Sequence, residues 1–132
     1  MTKRYATICC MSWLSKFFRR FKYAFAGIFY AVRCDSSMRS QVYLGGLVIA
    51  GFIYIASPLT QTEWLLLVFA YGLILITELQ NSALETALDH LHPDTHTDVG
   101  RSKDLAAGAV LIAGILLGIV IITLIYARWW PF

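Results

Sequence analysis

From Leu105 to Ala127 not one residue carries a charge. At about 1.5 Å per residue, a run of that length forms a helix able to cross the roughly 30 Å hydrocarbon core of a bilayer. Two other apolar runs precede it. One extends from Val42 to Ala56 and stops at Ser57-Pro58, with Gln41 or Leu59 completing its ends. The other begins at Glu63-Trp64 and stays apolar through Ile76. Inside lipid every backbone polar group must be satisfied within its own segment, so runs of this kind fold as helices. Of the 132 residues, 58% are hydrophobic and only 14% charged, with a mean hydropathy of +0.64. That balance excludes an ordinary soluble domain. The predicted fold class is an all-α integral membrane protein with three transmembrane helices in residues 41–132.

Ahead of the spans, residues 13–40 form a predicted amphipathic surface helix and link, and residues 1–12 an N-terminal extension. Trp13, Leu14, Phe17, Phe18, Phe21, Phe25, Ile28 and Phe29 recur at helical spacing, with Lys16, Arg19, Arg20 and Lys22 largely between them. A basic helix rich in Phe and Trp typically lies in the membrane surface as an anchor, and the other reading is that its cations bind polyphosphate. A nucleic-acid arm does not suit so apolar a setting, and no nucleic-acid partner is expected. Cys9, Cys10 and Cys34 show neither a CxxC spacing nor a disulfide framework and read as reduced thiols. Met11 is a second candidate start.

Lysine and arginine set the orientation. Eight lie between Lys3 and Arg39, none between the first two spans, Arg101 and Lys103 in the next connection, and Arg128 after the third span. The positive-inside rule puts the N-terminus and the 90–104 connection in the cytoplasm.

The second span turns polar without a break. A helix crossing from Trp64 leaves the hydrocarbon near residue 83, at about 1.5 Å per residue. Glu78, Asn81, Ser82, Glu85 and Asp89 then share one helical face, with Glu78 still in the cytoplasmic leaflet. A carboxylate inside a span costs a few kcal/mol and points to function, the other reading being a polar clamp in which Glu78 pairs with a cation or is protonated. Across a hydrophilic loop, His90 to Arg101, the segment Gly100-Arg101-Ser102-Lys103-Asp104 opens the third helix at the same level. Carboxylates, an amide and a lysine are the groups that phosphoryl transfer requires: hard oxygens for a metal, a cation for phosphate charge, a base for an alcohol. There is no Walker GxxxxGK[ST] motif and no kinase Gly-rich loop. His90, His92 and His96 with Asp89 and Asp94 fit no standard metal spacing and read as a solvated loop. The second reading is a non-catalytic membrane adaptor or a small proton-coupled transport subunit using Glu78. A lysine and a metal-binding carboxylate side by side are superfluous to such a relay.

The run Glu78-Leu79-Gln80-Asn81-Ser82-Ala83-Leu84-Glu85, then Asp89, then Lys103 through Val110, closely resembles the signature of the prokaryotic diacylglycerol kinase family, small three-span membrane kinases that include undecaprenol kinase. The resemblance covers roughly Lys16 to Tyr126. It implies a homotrimer in the bacterial cytoplasmic (inner) membrane with active sites shared between subunits, ATP with Mg2+ as phosphoryl donor, and phosphatidic acid or undecaprenyl phosphate as product. It implies Glu78 as general base on the lipid hydroxyl and Glu85 as a metal ligand. Asp35 stands where the family has a glutamate sharing that metal. Asn81, Lys103 and Asp104 match positions around the phosphates and nucleotide, and Lys16, Tyr23, Asp89 and His96 match further nucleotide-side positions. Lys16 replaces a frequent arginine and forgoes bidentate phosphate contact. Thr62-Glu63-Trp64 and Ala106 to Val110 resemble the undecaprenol-type branch, whereas Asn81-Ser82-Ala83 and Gly100 to Asp104 resemble the diacylglycerol-type branch.

Overall fold

A computed structural model gives the architecture, and the structure describes residues 13–92 and 96–130, the side chains of Trp13 and Leu14 excepted. Expectations for Cys9, Cys10, Met11 and Asp94 fall outside those residues. Four helices follow in chain order: α1 (Trp13–Cys34), α2 (Ser36–Ala56), α3 (Gln61–Leu91) and α4 (Thr97–Trp129). The last three are long and apolar enough to cross a membrane. At about 1.5 Å per residue, the 31 residues of α3 extend some 46 Å, well past the hydrocarbon.

Each spanning helix starts where a side chain satisfies its free amides. Asp35 caps α2, its Oδ1 accepting from the Ser37 amide at 2.8 Å and the Met38 amide at 3.4 Å. The first span therefore begins at Ser36, ahead of the Val42 read from hydropathy, and the link from the surface helix is reduced to Asp35 itself. Thr60 and Glu63 form a capping box on α3. His96 caps α4, its Nδ1 accepting from the Asp98 amide at 3.3 Å. The hydrophilic loop expected from His90 to Arg101 is correspondingly short, because α3 runs on to Leu91 and α4 starts at Thr97. Lys103 and Asp104 thus ride on rigid helix.

Packing is built mainly between α3 and α4, with α2 alongside. Leu67, Ala70 and Ile74 of α3 are buried against Ala113, Leu117 and Leu124 of α4, and Phe52 and Ala56 of α2 join at one end. The outward faces carry large apolar side chains such as Tyr54, Phe69 and Leu105. Exposure of that extent suits acyl chains as solvent and is untenable in water. At the end remote from the carboxylates, Arg128 Nη2 donates to the Pro58 carbonyl at 2.8 Å and lies 3.9 Å from Glu63 Oε2, tying the α2–α3 connection to the end of α4.

One turn of α2, Gln41–Gly45, is a π-turn. The Tyr71 hydroxyl reaches across from α3 to the Gln41 and Val42 carbonyls there, 3.1 Å from each. Only glycine lets the ring come so close, since a Cβ on Gly45 would stand 2.5 Å from Tyr71 Cε2. Tyr71→Phe should lower unfolding stability in detergent micelles by about 0.5–2 kcal/mol, the worth of an interhelical hydrogen bond in a membrane. Gly45→Ala should cost at least as much. Wild-type stability in both variants would show that the contact contributes nothing.

Candidate functional site

The polar face of α3 divides between two crevices. The first, of about 760 Å³, lies between α1 and α3 and is lined by Tyr23, Asp35, Ser82, Glu85 and Asp89 over an apolar floor that includes Ala24, Gly27 and Leu79. The second, of about 600 Å³, opens between α3 and α4 and is lined by Glu78, Asn81 and Glu85 against Ala107, Val110, Leu111 and Gly114. Glu85 borders both. The single face read from the offsets is thus a boundary between two sites, which periodicity alone does not show.

Glu78 is 3% exposed and Asn81 7%. Among the described residues no cation forms an ion pair with Glu78. Asn81 Nδ2 donates to Glu85 Oε1 at 3.1 Å, which orients that carboxylate, while Asn81 Oδ1 is buried without a partner. Asp35 bridges elements: besides capping α2, its Oδ2 accepts from the Ser82 hydroxyl of α3. Burial works against ionisation of Asp35, but the Ser82 hydroxyl, the Ser37 and Met38 amides and the nearby Arg39 outweigh it and hold the carboxyl below its ordinary range. It is a carboxylate at neutral pH.

Lys103 pairs with Asp89 across the α3–α4 connection; Asp89 lines the first crevice, and Lys103 lines neither. The remaining predicted residues are not gathered at either crevice. Lys16 lies near the start of α1, Asp104 is exposed, and His96 is occupied as the α4 cap beside Asp98 and Ser102; none of the three lines either crevice. Sequence reading missed the Ser82–Asp35 bond, because no local spacing relates residues 47 apart.

The donor set fits a hard divalent cation. Mg2+ takes oxygen ligands and is usually held by one or two carboxylates together with phosphate oxygens and water. Asp35, between α1 and α2, and Glu85 of α3 put two carboxylates on one crevice beside a third, Asp89, that pairs with Lys103. Among the described residues no group of three or more His, Cys, Asp or Glu side chains is placed to hold a metal. Two carboxylates leave most of an octahedral shell to be filled, which suits an ion arriving with phosphates.

A buried acid on a spanning helix and a crevice between α1 and α3 lined by Asp35, Glu85 and Asp89, the last paired with Lys103, are a group set suited to phosphoryl transfer at a membrane. The prokaryotic diacylglycerol kinase family profile matches residues 22–125, and the chain belongs to that family; it is a membrane lipid kinase. It is 30% identical over 99 residues to the diacylglycerol kinase of Haemophilus influenzae, covering 75% of this chain and 82% of that protein. It is 32% identical over 116 residues to the diacylglycerol kinase of Helicobacter pylori, covering 83% and 85%. It is 28% identical over 104 residues to the undecaprenol kinase of Bacillus subtilis, covering 78% and 82%. The reading as an adaptor or transport subunit falls with this membership.

Proposed function

We propose that the protein transfers the γ-phosphoryl group of ATP to the hydroxyl of a membrane lipid alcohol, diacylglycerol or undecaprenol, with Mg2+ as the metal. The observation that carries this reading is the shared position of Glu85, which joins a polar crevice under the surface helix to a second crevice walled by the apolar side of α4. The first suits a nucleotide: Tyr23 offers a ring, Asp35 and Glu85 offer metal ligands, and Lys103 offers phosphate charge. The second suits a lipid head entering sideways from the bilayer, with Glu78 buried in its wall. Phosphoryl donor and acceptor then meet at one carboxylate.

Glu78 accepts the proton of the lipid hydroxyl as its oxygen attacks the γ-phosphorus, and ADP leaves from the opposite side. Asn81 holds Glu85 in place through its amide. Asp35 and Glu85 would hold Mg2+, which would neutralise charge at the phosphates. Lys103 adds a fixed cation there, exchanging Asp89 for phosphate oxygen. Lys103→Met should raise KM for ATP about tenfold or more, the worth of a charged hydrogen bond. An unchanged KM would leave Lys103 as a membrane anchor only.

The direct test is transfer of labelled phosphate from ATP, with Mg2+, to diacylglycerol and separately to undecaprenol. One of the two should be labelled, and labelling of neither overturns the reading.

A homotrimer in the bacterial cytoplasmic membrane, N-terminus inward, completes the proposal. Glu85 is part-exposed in the crevice between α3 and α4, and a charge left open to lipid is costly unless another protomer covers it. Lys16, His96 and Asp104, which stand apart within one chain, then have a second chain against which to act. Orientation rests on the lysine and arginine distribution. Cross-linking in native membranes should give a species larger than the monomer.

A further inference from the structure

We infer that Ser82 is a positioning residue that locks the Asp35 carboxylate onto α3, beside Glu85. This rests on the reading of Asp35 and Glu85 as the metal-binding pair. Asp35 is the single residue between α1 and α2, its amide donating to the Ala31 carbonyl and its carbonyl accepting from the Arg39 amide, so its backbone is held by the α1–α2 junction while its side chain reaches α3. Its Oδ1 is committed to the α2 cap. Its Oδ2 accepts from Ser82 Oγ, and that bond joins the α1–α2 junction to the helix that carries Glu85 one turn further on.

A serine inside a helix commonly bonds back to the carbonyl four residues earlier. Ser82 has that contact, 3.0 Å to the Glu78 carbonyl. The local habit does not account for a second partner 47 residues away. A hydroxyl has one proton to donate, and an ionised acceptor makes the stronger bond. Asp35 is that acceptor, leaving the Glu78 carbonyl to its helical partner. Asp35 Oδ2 is thereby held on α3 at the crevice that Ser82, Asp35 and Glu85 all line. Partners of metal ligands typically set affinity in this way.

The test uses the full-length protein in lipid bicelles, with Mn2+ as the probe metal and ADP present. Ser82→Ala should weaken Mn2+ binding, read by electron paramagnetic resonance, by about 10- to 100-fold. It should raise the Mg2+ concentration for half-maximal rate in parallel, while KM for the lipid alcohol stays unchanged. Ser82→Thr, which keeps the hydroxyl, should restore both. A serine of merely structural use would lower the unfolding temperature without selectively moving metal affinity. Wild-type Mn2+ affinity in Ser82→Ala, alongside weakened affinity in Asp35→Asn, overturns the role of Ser82 and leaves the metal pair standing. Unchanged affinity in both Asp35→Asn and Glu85→Ala overturns the metal pair, and this inference with it.

Discussion

Glu78→Gln is expected to cut kcat by roughly 10²–10⁴-fold, the range that a positioned general base contributes, while nucleotide affinity stays near wild type. The substitution keeps the shape of the side chain and removes its basicity. Glu78 lines the crevice between α3 and α4 and not the one lined by Tyr23 and Asp35, so a neutral amide there should leave the nucleotide side undisturbed. Its near-complete burial strengthens the contrast, because water has little access to take over as base. Kinetics and ATP binding measured on the same preparation separate the possibilities. Loss of ATP binding along with turnover would assign Glu78 to the metal instead. Preserved turnover would remove it from the chemistry.

Much of this arrangement is legible from residue order, and the part that is not has a physical reason. The three spans follow from charge-free runs, since lipid leaves a backbone few alternatives to helix. The carboxylate face of α3 follows from offsets along one helix. Helix starts were misplaced by several residues where side chains did the capping: hydropathy marks where a segment becomes apolar, whereas Asp35 and His96 begin their helices in polar sequence. The π-turn at Gln41–Gly45 depends on Tyr71 of a different helix and has no local signature. The division of one face into two crevices likewise depends on where α1 and α4 lie beside α3. Contacts between distant segments are the information that spacing lacks, and the Ser82–Asp35 bond is such a contact.

Among substitutions of the proposed metal-binding pair, Asp35 and Glu85, Glu85→Ala should be the most damaging. Glu85 stands on the long, rigid α3, borders both crevices and receives the Asn81 amide. Its removal takes away a metal oxygen and at the same time leaves that buried amide without its acceptor, so activity should fall to near background at any Mg2+ concentration. Asp35 has two duties that different variants pull apart. Asparagine caps a helix about as well as aspartate, so Asp35→Asn should keep α2 intact and raise the Mg2+ requirement about tenfold or more, as loss of an ionised ligand demands. Asp35→Ala should show the same metal defect plus a loss of about 0.5–2 kcal/mol of stability from the missing cap. Asp35→Glu should retain activity, since its carboxylate still reaches the crevice, but with a weaker start to α2, because glutamate is not among the favoured caps. Initial rate against Mg2+ at saturating ATP, paired with unfolding in detergent, distinguishes all four. Wild-type Mg2+ dependence in Asp35→Asn would show that Asp35 serves the fold alone and that Glu85 binds the ion without it.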